Sequence, residues 1–382
     1  MTASGLPATA PAELRELRAA VHDFVEGERA AGVFEPACDA WMRSYDRTFS
    51  QRLAANGWLG ITWPAEHGGG GRSHTARLVV TEELLRAGAP VAAHWIAERQ
   101  IGPAILRYGS DELKHELLAP IAAGDVTFCL GMSEPEAGSD LAAVRTTARP
   151  DGDGFRVTGA KIWTTIAHHA EFAYVLACTN EQAPKDARLT ELVVDMQAPG
   201  VEVRPIYDLA GEHHFNEVLF DDVPVPARRV IGEVGRGWEQ VTAQLAFERG
   251  GPERFLSTYP LLDALVRFAA DGDGGEAASE RVGELSGRLR GLRALNWRIA
   301  ELMDAGVAPI APAAMLKILG TRFEQDVVEL GRWLLELEPD PTAGGIGAML
   351  ADAQVALPGI SLRGGATEIL AGIVARHGAG GR

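Results

Sequence analysis

The feature that most constrains the fold is a hydrophobic period that changes twice along 382 residues. From about residue 11 to 125, apolar residues recur at three- and four-residue spacing. "AELRELRAAVHDFVEGERA" and "ARLVVTEELLRAGAPVAAHWIAERQIGPAILRYG" show it, and the spacing predicts helices. "SDELKHELLAPIAAGD" opens with a capping serine, Ser110, and then runs amphipathic. "WPAEHGGGGRS" at Trp63 to Ser73 reads as a loop. From about 126 to 230 the pattern becomes short runs rich in β-branched and aromatic residues: "GDGFRVTGAKIWTTI", "FAYVLACT", "LTELVVDM", "VEVRPIY" and "NEVLFDDVPVP". From about 236 the helical spacing returns in "GWEQVTAQLAFERGG", "RVGELSGRLRGLRALNWRIAELMDAG", "AAMLKILGTRFEQDVVELGRWLLELE" and "ATEILAGIVARHG". The stretch 269–280, "AADGDGGEAASE", reads as a mobile connection. Helices, then strands, then helices is an α+β layout with segregated parts. The boundaries expected are 1–125, 126–230 and 231–382.

Composition narrows the function. Apolar residues make up 46% of the chain, enough for a sizeable core, and the formal net charge of −16 argues against broad binding to nucleic acid or an anionic membrane. No apolar run approaches the roughly 20 residues that a membrane span needs. The N-terminus lacks a basic start followed by an apolar stretch, so a cytoplasmic protein is the expectation. Cys38, Cys129 and Cys178 lie far apart and show no metal or redox spacing; three reduced, mostly buried thiols are expected. His94, His168, His169, His213 and His214 form no ligand spacing either, and no metal is expected.

One segment holds an open question. "GMSEPEAGSDLAAVRTTA", Gly131 to Ala148, packs two glutamates, an aspartate, a serine and two glycines into a short length. It could supply a pair of acid/base carboxylates, or a loop that cradles phosphate.

The order of segments and five motifs resembles the acyl-CoA dehydrogenase family over nearly the whole chain. The motifs are "GWLGITWPAEHGGGG", "YGSDELKHELLAPIAAGD", "MSEPEAGSD", "GAKIWTTIAHHAEFAYVLA" and "FNEVLFDDVPVPARRVIGEVGRGW". The resemblance implies an N-terminal helical domain, a central β-barrel-like domain and a C-terminal four-helix bundle, usually a tetramer around FAD. It implies that Leu130 and Ser133 contact the flavin ring and that Gly138 and Ser139 lie by the phosphates. Ser139 would also serve the acyl carrier arm. Trp163 would pack against the isoalloxazine, with Thr164 beside it and Thr165 near N5. A short Gly/Ser loop suits phosphate and ring carbonyls because it exposes backbone N–H groups and a hydroxyl without bulk. Inward carboxylates would repel a pyrophosphate, so Glu134, Glu136 and Asp140 read as turn, ion-pair or capping groups. An ordinary hairpin turn with a core tryptophan is the alternative for this segment taken alone.

The chemistry of the family needs a base for the α-proton and donors for the thioester carbonyl. Many members carry the base in a Glu-Gly-Thr motif near the C-terminus. Here the matching stretch is "SLRGGATEIL", with Gly364 at the glutamate position. Gly364 cannot take a proton, though its N–H could still donate to the thioester. A second branch, which includes isovaleryl-CoA dehydrogenase, places the base on a helix just before an arginine. "QLAFERGGPERF" is similar to it, with Glu248 before Arg249, so the resemblance implies Glu248 as base and Arg249 near the substrate. A surface Glu–Arg pair is the bland alternative, and Glu253 is the reserve base. The resemblance further places Thr367 and Glu368 by the ribityl or adenosine part of FAD. Arg281 and the "TAGGIGAMLAD" loop would reach a neighbouring subunit's FAD. Trp95 falls on the helix that lines the acyl pocket, where its bulk favours a short or medium chain.

The leading expectation is an FAD-dependent dehydrogenase of acyl-CoA or acyl-carrier-protein thioesters. Its electron acceptor would be electron-transferring flavoprotein, and its assembly a homotetramer or dimer, with a paralogue as a further option. Two alternatives stand beside it: a non-catalytic partner subunit of a heteromeric acyl-CoA dehydrogenase, and a flavin-dependent oxidase or hydroxylase on the same fold.

Overall fold

A computed structural model describes Pro7, residues 10–248, 250–272 and 274–335, Asp340, Thr342 and residues 344–378, with only the backbone at 245–248. In chain order the elements are α1 (Ala12–Ala30), α2 (Ala40–Arg43), α3 (Arg47–Ala55), α4 (His74–Arg86), α5 (Ala92–Ile96), α6 (Gly102–Tyr108), α7 (Asp111–Ala122), β1 (Phe128–Gly131), β2 (Thr147–Asp151), β3 (Gly154–Lys161), β4 (Phe172–Cys178), β5 (Leu189–Asp195), β6 (Val201–Tyr207), β7 (His213–Pro226), β8 (Val230–Ile231), α8 (Gly237–Glu248), α9 (Tyr259–Ala270), α10 (Gly275–Asp304), α11 (Ile310–Leu335), α12 (Gly345–Leu362) and α13 (Thr367–Gly378). The helix–strand–helix order expected from the periodicity is present. Ser110 caps α7 by accepting a hydrogen bond from the Leu113 N–H at 3.2 Å.

Two details differ from the sequence reading. The long helical run after residue 74 is interrupted at residues 87–91, and the helix that resumes at Ala92 widens through a π-type turn at Ala97–Ile101. The connection expected over 269–280 is shorter. Helix α10 begins at Gly275, because Gly274 and Gly275 take left-handed conformations and let a helix start within the glycine cluster. One helix, Gly345–Leu362, is apolar and long enough to cross a membrane by length and composition only. It packs through Leu350, Ala351, Ala353, Ala356 and Ile360.

The chain divides into two compact units. One gathers residues 1–44, 72–90 and 246–382; the other holds residues 45–71 and 91–245. In the helical unit a buried carboxylate joins three helices: Glu82 of α4 accepts from Arg293 of α10 at 2.6 and 2.7 Å and pairs with Arg18 of α1. Burial works against this charge, but the two guanidinium groups outweigh it and hold the carboxyl below its ordinary range.

In the second unit the strands form a sheet in the order β6-β7-β3-β2-β4-β5-β8, with β1 added parallel to β4. Strands β4 and β5 are buried at nearly every position because both faces are covered, whereas β7 alternates as a half-solvated strand does. Val157, Val175, Leu192, Phe220 and Val223 form one core. Ile101, Ile105, Leu117, Phe128 and Tyr174 form another against the helices. All three cysteines are buried and unbridged, as expected.

Candidate flavin and acyl thioester site

The segment 131–148 is resolved by its hydrogen bonds. Glu134 and Ala137 close a tight turn with reciprocal backbone bonds of 2.8 and 3.1 Å. The Glu134 side chain folds inward and accepts from the backbone N–H of Arg145 (2.6 Å), that of Thr146 (2.9 Å) and the ammonium of Lys161 (2.8 Å). Lys161 is fully buried and also donates to the carbonyls of Met132 and Leu176. Burial opposes the carboxylate's charge, yet Lys161 and the two N–H groups hold its pKa down; burial lowers the Lys161 ammonium to about 8 against the pull of Glu134. Both groups are therefore charged at pH 7. Glu134 is a structural ion-pair and turn group, as its position next to a phosphate-suited loop implied. Gly138 and Ser139 stay exposed at the tip, and open space surrounds the Cα of Gly138.

The second motif lies on a strained loop. Trp163 and Ile166 have φ of 60° and 52°, uncommon for residues with a Cβ. The loop is braced by β7. The Thr164 N–H donates to the Asn216 carbonyl at 2.9 Å, the Asn216 amide donates back to the Thr164 carbonyl at 2.9 Å, and the Ile166 N–H donates to the His214 carbonyl at 2.8 Å. The Ile162 N–H bonds the Ser133 carbonyl at 3.0 Å and ties the two motifs together. Thr164 and Thr165 are buried, Leu130 and Ser133 are half-buried, and Trp163 is 57% exposed, its ring edge-on to Phe215. A large indole held out on a braced, strained turn beside an open Gly/Ser tip fits a planar ring system with polar edges and an anionic tail. The residues present therefore fit FAD.

Beside that loop the rings of Tyr45, His169, His168 and His213 follow one another at 4.2, 4.1 and 4.0 Å, the outer two pairs stacked and the middle pair tilted. Burial, followed by the neighbouring imidazoles, lowers His168 to about 4, so this ring is neutral at pH 7. Among the described residues Asp208, Glu212 and His214 are the three that bring ligand atoms within 4.8 Å of one another. Trp95 is fully buried, with the Arg99 guanidinium 4.7 Å from its ring.

The remaining sequence candidates lie in the helical unit. Glu248 is the last residue of α8; its side chain, and all of Arg249, lie outside the described residues. Glu253 is buried in a short 3₁₀ turn, Pro252–Arg254. Gly364 and Gly365 have φ of 69° and 107°, a left-handed turn between α12 and α13. Thr367 is half-buried and Glu368 exposed in the first turn of α13. Arg281 is exposed on α10 and lies 4.3 Å over the Trp333 ring.

Sequence reasoning missed several groups. Lys161 and Asn216 support the two motifs. Glu191 is fully buried and accepts from Gln240 and from Gln244 of α8 at 2.9–3.1 Å. A charged residue followed by the apolar run Leu192–Val194, as in "LTELVVD", was the available signal for Glu191.

A helical–β–helical chain whose β part exposes an indole on a braced turn can offer a planar cofactor a flat apolar face. Family models described as acyl-CoA dehydrogenase N-terminal, middle and C-terminal domains match residues 11–125, 129–223 and 235–379. The acyl-CoA dehydrogenase FadE26 of Mycobacterium tuberculosis is 33% identical over 83% of this chain and 82% of its own. The acyl-CoA dehydrogenase IpdE1 of the same organism is 40% identical over 62% of this chain; the match spans 63% of that relative's length. A solved structure titled "Tcur3481-Tcur3483 steroid ACAD" shares 27% identity at a TM-score of 0.85, covering 99% of this chain and 100% of that one. The ChsE4-ChsE5 complex from Mycobacterium tuberculosis shares 28% identity at 0.83, covering 98% and 99%. The chain belongs to the acyl-CoA dehydrogenase family, whose members are FAD-dependent oxidoreductases.

Proposed function

We propose that this chain is an FAD-dependent dehydrogenase of acyl thioesters that yields an enoyl thioester. The observation that carries the reading is Trp163, 57% exposed on a strained loop braced by Asn216. Bound FAD supplies the hydride acceptor. The chain's own residues do the rest. Leu130, Ser133, Trp163, Thr164 and Thr165 hold the ring, and Gly138 and Ser139 take the phosphates. Thr367 and Glu368 take the ribityl or adenosine part, and Arg281 serves a neighbouring subunit's cofactor. Glu248 removes the α-proton, and the Gly364 N–H donates to the thioester carbonyl. Ser139, Arg249 and Trp95 serve the acyl carrier arm and the acyl chain.

The thioester is one of CoA or of acyl carrier protein, the acceptor is electron-transferring flavoprotein, and the setting is the cytoplasm. The assembly we propose is a homotetramer or dimer. Gly364 favours a second reading, a subunit that works with a paralogue, and the neighbour solved as a ChsE4-ChsE5 complex fits it. The name of the Tcur3481-Tcur3483 neighbour extends the substrate panel to steroid-derived thioesters beside short aliphatic ones.

The test is the visible spectrum of the protein purified alone. It should carry flavin absorbance, and at least one thioester in the panel should bleach it without oxygen. Protein that lacks flavin after reconstitution contradicts the reading. Flavin that no thioester bleaches until a paralogue is added favours the partner-subunit reading.

A further inference from the structure

A buried cluster of charges in the helical unit holds the reserve base, Glu253, and otherwise has no part in the roles given above. Asp39, Glu253, Arg254, Lys317 and Glu324 are each at most 4% exposed, and Arg363 is half-buried beside them. Arg363 forks onto the Asp39 carboxylate and lies 4.7 Å over the Trp41 ring. Glu324 of α11 accepts from the Ser257 N–H at 2.7 Å, and Lys317 donates to Thr321 at 2.6 Å and to the Ile360 carbonyl. Arg254 lies 3.4 Å from Glu253 and 5.8 Å from the centre of the Trp41 ring.

Two glycines are shaped around Arg254. Gly320 sits inside α11, where glycine weakens a helix relative to alanine. A Cβ there would lie 2.9 Å from the carbonyl carbon of Arg254 and 3.1 Å from Cβ of Phe255. Gly364, 44 residues further on, has φ of 69°, and a Cβ there would lie 2.7 Å from Cζ of Arg254, with Nη1 nearer still. The backbone of Arg254 thus needs the first glycine and its guanidinium needs the second. The guanidinium occupies the volume into which any side chain at position 364 would begin to project.

We propose that Arg254 is the positioning residue of the turn at 364. Its guanidinium fills the place where a side chain at that position would begin, and together with the left-handed backbone it favours glycine there. It thereby presents a bare backbone N–H and closes this location to a carboxylate base. The charges around it follow from this role. A buried guanidinium is tolerated only when it is surrounded by compensating carboxylates, and Asp39, Glu253 and Glu324 balance Arg254, Lys317 and Arg363. The inference rests on reading Gly364 as the thioester donor.

The test is a double-substitution cycle on the flavin-loaded protein with Gly364→Ala, Arg254→Lys and both together. Arg254→Lys keeps the buried charge but removes the rigid fork over position 364. Gly364→Ala should slow turnover about 100-fold, the scale of a misplaced oxyanion donor, and lower the melting temperature. Adding Arg254→Lys should recover at least roughly tenfold of that loss and part of the melting temperature, because the two sites share one contact. Single effects that simply multiply in rate and add in melting temperature would overturn the proposal, as would a Gly364→Ala protein with wild-type rate and melting temperature. Coupling in melting temperature without any coupling in rate would separate the two claims: the contact would stand, and the donor role of Gly364 would fall.

Discussion

At the residue scale, the side chains that prepare the candidate site are not those that would touch a ligand. Glu134 looks in sequence like half of a catalytic pair. In the fold it is consumed by Lys161 and two backbone N–H groups. That pairing was not legible, because the partners lie 27 residues apart and meet only once the sheet has formed. Lys161→Met leaves the Glu134 charge buried without its cation and should destabilise the protein by about 3–5 kcal/mol. The double variant with Glu134→Gln should lie much closer to wild type, since no uncompensated charge remains. Urea unfolding of the three variants measures this, and equal losses in single and double would show that Lys161 acts through packing alone.

At the element scale, β4, β5 and the long helices were legible because their periodicity is a direct image of burial on two faces, one face or one stripe. The interruption at residues 87–91 and the start of α10 inside a glycine cluster were not, since glycine permits both a break and a helix start and periodicity does not say which. The packing of α8 on β5 was also hidden. Gln240 and Gln244, one turn apart, both donate to the buried Glu191. Burial raises that carboxyl to about 7 against the pull of Tyr174, Gln244 and Gln240. A folded-state pKa above the unfolded value means the contribution is full below about 4.5 and is lost as pH rises through about 7. Wild type should therefore lose stability relative to Glu191→Gln between about pH 5 and pH 8, by an amount on the order of 3 kcal/mol. Melting temperatures across that range check it; parallel curves would place the Glu191 carboxyl near its ordinary value.

At the scale of the whole molecule, the order of parts was legible and the way they join was not. Contacts such as Glu82 to Arg293 cross 211 positions, and nothing in local pattern announces them. The family was legible because five motifs stand in one order. The base was legible only by resemblance: Gly364 excludes the more familiar location, and Glu248 is the remaining carboxylate in a matching stretch. That assignment is the centre of the proposed function. It is tested most directly by mixing the flavin-loaded protein anaerobically with a thioester that bleaches it, and comparing wild type with Glu248→Gln. Flavin should remain bound in both, and bleaching should be slower in the variant by roughly 100-fold or more, the scale of a lost general base. Bleaching at the wild-type rate would contradict the assignment and move the search to Glu253.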